Sequence, residues 1–256
     1  MTPTFLLLLL SMTTVCLSDT GDQTDESMDV SEIIARANAD IGSQVVHGDI
    51  VRDLRRNADS CTAKGCKWRK MLWRKYTYVP VRISSAYSRA ERNIIIRGLV
   101  TFHKSTCIRF VWKRWWHRSY IYFFSGSGCW SYLGRVGGRQ RISLKKRGCL
   151  YQSTVQHEVL HALGFHHEHV RSDRDTYVQI LTQNIQPGRE SNFQKENTNN
   201  LNTPYDFMSV MQYSKYAFSR NGLPTIINKS DTNAAFGTAT QMSPNDIARV
   251  NRLYKC

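Results

Sequence analysis

The alternation of apolar and polar positions predicts strands and helices in turn between residues 76 and 124. Residues 76–84 (YTYVPVRIS) alternate as a strand does, and the apolar segments CIRFVW and SYIYFF further along also favour strands. Between residues 76–84 and CIRFVW, residues 88–106 carry apolar side chains at helical spacing, and Ser88 is placed to cap the helix. Those apolar positions are Ile94, Ile95, Leu99 and Phe102.

The rest of the chain adds a glycine-punctuated stretch, a histidine-rich helix and a terminal helix. HEVLHALGFHHEH (residues 157–169) begins as a helix, whereas residues 176–203 are polar and mostly irregular. SPNDIARVNRLY favours a short helix with Ser243 at its N-cap and Pro244 at its first position. Helices and strands are mixed, and no linker or repeat interrupts residues 57–256, so the sequence predicts one α+β domain.

The amino terminus predicts secretion and processing. An apolar run followed by small residues is typical of a signal peptide, and no other run approaches the length of a membrane span, so no membrane anchor is expected. Residues 19–54 carry nine acidic residues against two arginines, and a dibasic pair, Arg55 and Arg56, follows. We expect a trypsin-like protease to activate the chain by cutting between Arg56 and Asn57. The predicted parts are a signal peptide (1–18), an acidic leader or propeptide (19–56) and the body (57–256).

The body is strongly basic. It holds 31 basic and 11 acidic residues, a net charge of +20. This balance favours an anionic extracellular partner, and an acidic leader could pair with the body until it is removed. Two alternatives stay open, a charged surface with no specific partner and a disordered leader with no inhibitory role. Tryptophans interleave with the basic residues, but secretion argues against nucleic acid as the partner.

The number of cysteines is consistent with secretion. The body contains six, an even number that suits three disulfides in an oxidising compartment, although the sequence alone does not choose among their pairings. Asn228 begins an N-K-S sequon, which makes it a candidate for N-glycosylation.

Three histidines and a glutamate have the spacing of a catalytic zinc site. His157 and His161 are four residues apart on one helix face, so both imidazoles can bind one ion. Glu158 lies beside them, where it can hold a water on the metal without being a ligand. Gly164 can adopt the positive φ of a sharp turn, which would bring in His167 as third ligand. Such a site keeps one position open, and zinc lowers the pKa of water there to about 7.

The same residues resemble the astacin family of secreted zinc endopeptidases, which belongs to the metzincins. HEVLHALGFHHEHVRSDRD matches the zinc signature of that family, including Glu168 directly after the third histidine. SVMQY (residues 209–213) is similar to the family's Met-turn. The resemblance implies that Met211 lies beneath the zinc and that Tyr213 is an additional ligand, which later donates to the reaction intermediate. Gln212 stands where the family more often has histidine.

The resemblance covers residues 57–256 almost completely. It implies a metzincin, zincin-like catalytic domain with two lobes, a twisted mixed sheet and the zinc-binding helix in the cleft between them. The resemblance also implies that each chain binds one Zn²⁺ and hydrolyses peptide bonds, with Glu158 as the proton carrier. NADSCTAKGCKW is similar to the mature start of six-cysteine fish hatching enzymes, or choriolytic enzymes, which suggests egg-envelope protein as the substrate. His166 and His169 are expected outside the ligand set, near the site or at the surface.

Family likeness also suggests disulfides and a latency device. VHGDI resembles the propeptide motif whose aspartate, here Asp49, occupies the water position on zinc, with Val46 in place of the usual aromatic residue. After the cut, the new amino terminus at Asn57 would turn inward towards Glu168. The implied disulfides are Cys107–Cys256, Cys129–Cys149 and Cys61–Cys66.

The sequence therefore predicts a secreted, monomeric zinc endopeptidase made as a zymogen. Storage in secretory granules before release is compatible with this prediction. Two alternatives stay open. One is an astacin-like protease that acts on another matrix or secreted substrate. The other is a basic matrix-binding protein with a structural zinc, against which Glu158 and Tyr213 speak because a structural site is closed and does not need them.

Overall fold

The computed structural model describes residues 29–41, 45–51, 66–70, 73 and 75–256. Several predicted features lie outside these residues: the signal peptide, the cut between Arg56 and Asn57, and Cys61. Among the described helices, none combines the length and the apolar character that a membrane crossing requires.

Four helices and nine strands make up the described part of the chain. The helices are α1 (Val30–Ala37), α2 (Arg89–Ser105), α3 (Gln152–Leu163) and α4 (Pro244–Tyr254). The strands are β1 (Val45–Val46), β2 (Ile50–Val51), β3 (Thr77–Ile83), β4 (Ile108–Trp112), β5 (Tyr120–Phe124), β6 (Cys129–Tyr132), β7 (Arg139–Leu144), β8 (Val178–Ile180) and β9 (Ile226–Asn228). Short 3-10 turns occupy much of the chain between residues 168 and 193.

Side-chain caps set the starts of two helices. Ser88 Oγ accepts from the Glu91 N–H at 3.2 Å, while the Glu91 carboxylate accepts from the Ser88 N–H at 2.6 Å. Ser243 and Asp246 form the same reciprocal pair at the start of α4, with Pro244 in the first turn. These capping boxes satisfy N–H groups that a helix start leaves without partners.

Seven of the described strands form one mixed sheet in the order β1-β2-β6-β7-β5-β3-β4. Strands β4, β3, β5 and β7 are parallel, and β6 is antiparallel to β7. The leader supplies β1 and β2, and β2 pairs in parallel with β6. The leader therefore extends the sheet beyond the edge that β6 would otherwise form. Strands β8 and β9 pair with each other in a separate antiparallel ribbon.

Two apolar clusters divide the body. The larger one buries the inner face of the main sheet, including Ile121 and Phe123, against α2 and α3. The smaller one gathers β8, β9 and the irregular chain around them. Met211 belongs to the first cluster and Tyr213 to the second. The turn that contains both residues therefore lies where the two lobes meet.

The structure confirms the predicted α+β fold with its zinc-binding helix. The predicted strands at residues 76–84 and in the two apolar segments are β3, β4 and β5. The sequence did not predict α1, β6 or β7. Both β6 and β7 place a polar residue, Ser131 or Gln140, on their buried face, which masks the alternation that marks a strand. Gln140 is satisfied there because its amide donates to the Gly134 carbonyl at 2.7 Å.

Gly98 lies where α2 packs against the site helix α3, so a methyl group there should destabilise the fold. A Cβ at Gly98 would lie 2.5 Å from Val155 Cγ1. We expect Gly98→Ala to lower the free energy of unfolding in urea by about 1–3 kcal/mol through overpacking. Val100→Ala, on the exposed side of α2, is the control and should change it by less than about 0.5 kcal/mol. Unchanged stability of Gly98→Ala would contradict this packing.

Candidate metal centre

Two imidazoles on α3 have their Nδ1 atoms bound to backbone carbonyls. His157 Nδ1 donates to the Val210 carbonyl at 2.8 Å, and His161 Nδ1 donates to the Phe165 carbonyl at 2.7 Å. A carbonyl only accepts, so each Nδ1 carries a proton, and Nε2 is the nitrogen of each ring that is left to bind a metal. Both rings are therefore fixed in the tautomer and orientation that metal binding requires.

The chain leaves α3 through a left-handed turn at Gly164, whose φ is 110°. The N–H groups of Gly164 and Phe165 donate back to carbonyls in the last turn of the helix. After this turn the chain brings His167 back towards His157 and His161. Gly164 thus has the backbone conformation that the sequence interpretation requires of it.

The three Nε2 atoms face one another at the distances of ligands on a common ion. His157 Nε2 lies 3.1 Å from both His161 Nε2 and His167 Nε2. Ligand atoms about 2.0 Å from one tetrahedral zinc lie roughly 3.3 Å apart, so the spacing fits this ion. Burial lowers the pKa of His161 and of His167, which favours their neutral, metal-binding form. The close approach of these buried nitrogen atoms is unfavourable by itself, and a cation bound between them would stabilise it.

A carboxylate of the leader belongs to the same cluster. Asp49 Oδ2 lies 3.0 Å from His157 Nε2 and 3.2 Å from His167 Nε2. Its Oδ1 lies 3.4 Å from His161 Nε2. Burial alone would raise the pKa of Asp49, but positive charge in the cluster of His167 and His161 holds it well below its ordinary range. Three imidazoles and one carboxylate form a donor set that suits zinc.

Glu158 is a buried carboxylate without a partner. It follows His157 on α3 and is fully buried, and within the described structure neither of its oxygens has a hydrogen-bond partner. Burial, and then the Asp49 carboxylate, raise its pKa well above the ordinary value. Because such a group destabilises a fold, its place beside a metal cluster indicates a role in proton transfer.

The Met-turn, residues 209–213, packs against the cluster. The Tyr213 ring centre lies 3.9 Å from that of His169 and 4.6 Å from that of His167. The Tyr213 hydroxyl donates to the carbonyl of the leader residue His47. Met211 is buried in the larger apolar cluster. The leader thus engages Tyr213 as well as the histidines, and the role of this tyrosine as a metal ligand stays a prediction.

Two arginines hold Glu168, the residue directly after the third histidine. Arg249 binds both carboxylate oxygens, one of them at 2.7 Å, and Arg171 Nη1 lies 3.1 Å from Oε1. Burial raises the pKa of Glu168 despite these cations. This network attaches the ligand loop to α4. Sequence reasoning missed Arg249 because 81 residues separate it from Glu168, and no local pattern marks so distant a pair.

The cap of α4 positions the Met-turn. The Asp246 carboxylate accepts from Ser209 Oγ at 2.6 Å and from the Val210 N–H at 2.9 Å. The Val210 carbonyl in turn accepts from His157 Nδ1, so the cap orients the His157 ring through two hydrogen bonds. The capping spacing of Ser243 and Asp246 is the only sequence sign of this role.

The two remaining histidines of the segment lie beside the site and outside the four-residue cluster. His169 is fully buried, and burial lowers its pKa to about 3, so its ring is neutral. His166 is half-buried, with its ring edge-on to that of His47. The position of His169 against Tyr213 excludes a surface location for it.

Two disulfides lie within the described residues. Cys107–Cys256 ties the start of β4 to the end of α4, and Cys129–Cys149 ties β6 to the segment before α3. Cys61 lies outside the described residues, so its pairing with Cys66 stays a prediction. Asn228 is half-buried at the end of β9, and its glycosylation stays a prediction as well.

Comparison with known proteins finds one family. The family model described as Astacin (Peptidase family M12A) matches residues 66–255. High choriolytic enzyme 2 of Oryzias latipes is 43% identical over 233 residues, which cover 91% of this chain and 83% of that protein. Low choriolytic enzyme of the same fish is 41% identical over 239 residues, which cover 92% of this chain and 88% of that protein.

A solved structure agrees with these matches. High choriolytic enzyme 1 of Oryzias latipes, described as a hatching enzyme zinc-protease, superimposes with a TM-score of 0.74 at 44% sequence identity. The match covers 78% of this chain and 100% of that one. Identity at this level supports a shared zinc-protease fold.

Gly164 should be required for the metal geometry, and its role can be separated from backbone strain. A side chain at its φ of 110° is strained, and relief of that strain would displace His167. We expect Gly164→Ala to weaken zinc binding by at least about tenfold, measured by competition with a chelator. Gly188→Ala is the control, because Gly188 also has a positive φ, 81°, with nothing within 4 Å of a Cβ. Equal zinc affinity of the two variants would contradict this role.

Proposed function

This chain belongs to the astacin family of peptidases and is a zinc metalloendopeptidase, and from that premise we propose that it is a secreted, latent precursor that digests egg-envelope protein once activated. The observation that supports latency is Asp49 of the leader in the imidazole cluster. The names of the choriolytic relatives support the substrate. The active protease would be the body, residues 57–256.

A few side chains divide the work of peptide hydrolysis. Zinc, when bound by the three histidines, supplies a Lewis acid that polarises water and the scissile carbonyl. Glu158 accepts the proton of the attacking water and passes it to the leaving amine. The Tyr213 hydroxyl, once released from the His47 carbonyl, donates to the substrate oxygen as negative charge develops there.

Replacement of Glu158 should separate metal binding from catalysis. In the processed chain we expect Glu158→Gln to retain one zinc per chain but to lower kcat at least about 100-fold, because the proton carrier is lost. Elemental analysis and cleavage of a short peptide measure the two effects. Glu190→Gln, at an exposed carboxylate, is the matched control and should match the parent in both. Full activity of Glu158→Gln would refute the assignment.

Contacts on both sides of Asp49 hold the leader on the body. The Asn38 side chain donates to the Cys129 carbonyl at 2.6 Å and accepts from the Cys129 N–H at 2.8 Å. The Ser131 N–H donates to the Asp49 carbonyl at 3.0 Å, in line with the pairing of β2 and β6. An extended peptide can bind by pairing with a free strand edge. The leader would therefore exclude substrate from β6 and water from the cluster together.

Gly48 allows the leader to pass close to Tyr213. Its φ is 84°, and a Cβ there would lie 2.8 Å from Tyr213 Oη. The neighbouring His47 carbonyl accepts from the same hydroxyl. Removal of the leader would therefore free Tyr213 at the same time as it opens the cluster.

Latency should depend on the Asp49 carboxylate. We expect the unprocessed Asp49→Ala variant to cleave a short peptide at least about tenfold faster than the unprocessed parent, because a coordination position opens on zinc. Asp40→Ala, at an exposed acid of the same leader, should leave latency unchanged. The rates are compared before any protease is added. If both variants stay as inactive as the parent, Asp49 is not the inhibitory ligand.

Processing would create a new amino terminus at Asn57, which by family likeness turns inward towards Glu168. A cavity of about 50 Å³ borders Glu168, Arg171 and Arg249. Because the two arginines already contact this carboxylate, the new ammonium group would join an existing ionic network. Maturation would in this way act on the loop that carries His167.

The substrate proposal calls for a direct comparison of proteins. The full chain is activated with trypsin and incubated with isolated egg envelope and, at equal mass, with collagen and fibronectin. We expect envelope fragments to form first, as identified by mass spectrometry, and the processed Glu158→Gln variant serves as the blank. Equal cleavage of all three materials would favour the alternative, a protease of another extracellular substrate.

A further inference from the structure

The outer face of the main sheet, opposite α2 and α3, presents arginines among aromatic rings. We define this outer face by Arg82 on β3, Tyr122 and Phe124 on β5, Trp130 on β6, and Arg139 and Arg141 on β7. The residues that alternate with them, such as Val81, Ile121 and Ile142, point into the core. The outer face is thus built by strand alternation on a rigid sheet.

Strand register places the guanidinium groups on both sides of β5. Tyr122 pairs with Arg82 of β3 and with Arg141 of β7. The guanidinium carbons of Arg82 and Arg139 lie 6.0 and 5.8 Å from the Tyr122 ring centre. Because neighbouring strands are about 4.8 Å apart, Arg82 on one side of β5 lies roughly 10 Å across the sheet from the strand that carries Arg139 and Arg141.

The arginines of the outer face are not paired with any carboxylate of the described residues. Residues 92–157 contain 13 lysines and arginines and not one aspartate or glutamate, and β3 contains no acidic residue either. Arg82, Arg139 and Arg141 are exposed, and none of the three forms an ion pair within the described chain. Like charges held this close raise the free energy of the isolated protein, so an anionic partner would be attracted strongly.

We propose that the outer face binds a linear sulfated polysaccharide. Guanidinium groups bind planar pairs of anionic oxygens with two hydrogen bonds, so Arg82 on one side and Arg139 and Arg141 on the other can each receive an anionic substituent. The rings of Tyr122 and Phe124 between them offer flat surfaces for the sugars. This inference goes beyond the proposed function and rests on it for the extracellular setting and for a substrate held in a matrix.

The position of the outer face within the sheet favours a polymer that binds to side chains over a peptide that pairs with a strand edge. The four strands of the outer face all have neighbours on both sides, so the face offers no free strand edge for a peptide to pair with. One end of the outer face, at Trp130, lies on β6, and β6 pairs with the leader strand that follows Asp49 of the cluster. Polysaccharide bound here would therefore keep the cleft next to the matrix that carries the substrate.

Heparin binding by the full chain tests the proposal with matched charge variants. The double variant R139Q/R141Q removes two charges from the outer face, and R97Q/K104Q removes two exposed charges from α2, on the opposite side of the sheet. We expect the first to raise the Kd for heparin at least about tenfold and to elute at lower salt, because charge-assisted hydrogen bonds are lost. The second should change the Kd less than about twofold.

Competitors separate the classes of polymer. Dextran sulfate should displace heparin, whereas polyglutamate and single-stranded DNA of equal charge should displace it poorly. Equal weakening by the two double variants would overturn the proposal, because net charge alone would then explain binding, and so would equal competition by polyglutamate or DNA. Arg82→Gln provides a second test should R139Q/R141Q unfold. Binding is read without peptide cleavage, so its failure is distinct from failure of the protease proposal.

Discussion

The structure depends on the approach of three buried imidazoles, in which His157 Nε2 lies 3.1 Å from the Nε2 atoms of both His161 and His167. Such an approach is unfavourable unless a cation lies among these nitrogen atoms, so much of the neighbouring structure serves to maintain it. Backbone carbonyls fix two of the rings, and the turn at Gly164 returns the third. The cap of α4 holds the carbonyl that orients His157, and Arg249 fixes the loop that carries His167.

The leader brings a carboxylate to the same cluster of imidazoles. A carboxylate is one of the few side chains that can share a cation with three imidazoles, and Asp49 enters the cluster on a hairpin that also lengthens the sheet. One short segment thus contacts the metal ligands, Tyr213 and the edge of β6. Charge is arranged differently on the two faces of the sheet. The buried imidazoles lie on the inner side of the sheet, whereas the outer side carries guanidinium groups that pair with no carboxylate of the described residues.

Sequence reasoning could reach those parts of the molecule that local spacing encodes. Helical spacing placed His157, Glu158 and His161 together, and the cap at Ser88 marked the start of α2. It could not reach contacts between distant segments, such as Arg249 with Glu168 or Asn38 with Cys129, because nothing in either local sequence depends on the other. Strands β6 and β7 were not predicted for another reason. Polar residues lie on their buried face, and the hydrogen-bond partners of those residues are supplied by the fold, so the strand alternation is not visible in the sequence.

The claim at the centre of this account is that the three histidines hold one catalytic zinc ion. It is tested most directly by stripping the processed protein with a chelator and restoring zinc in measured steps while peptide hydrolysis is followed. Activity should be absent from the stripped protein, rise in proportion to added zinc and level off at one ion per chain. Hydrolysis at the full rate by protein shown to be free of metal would contradict it.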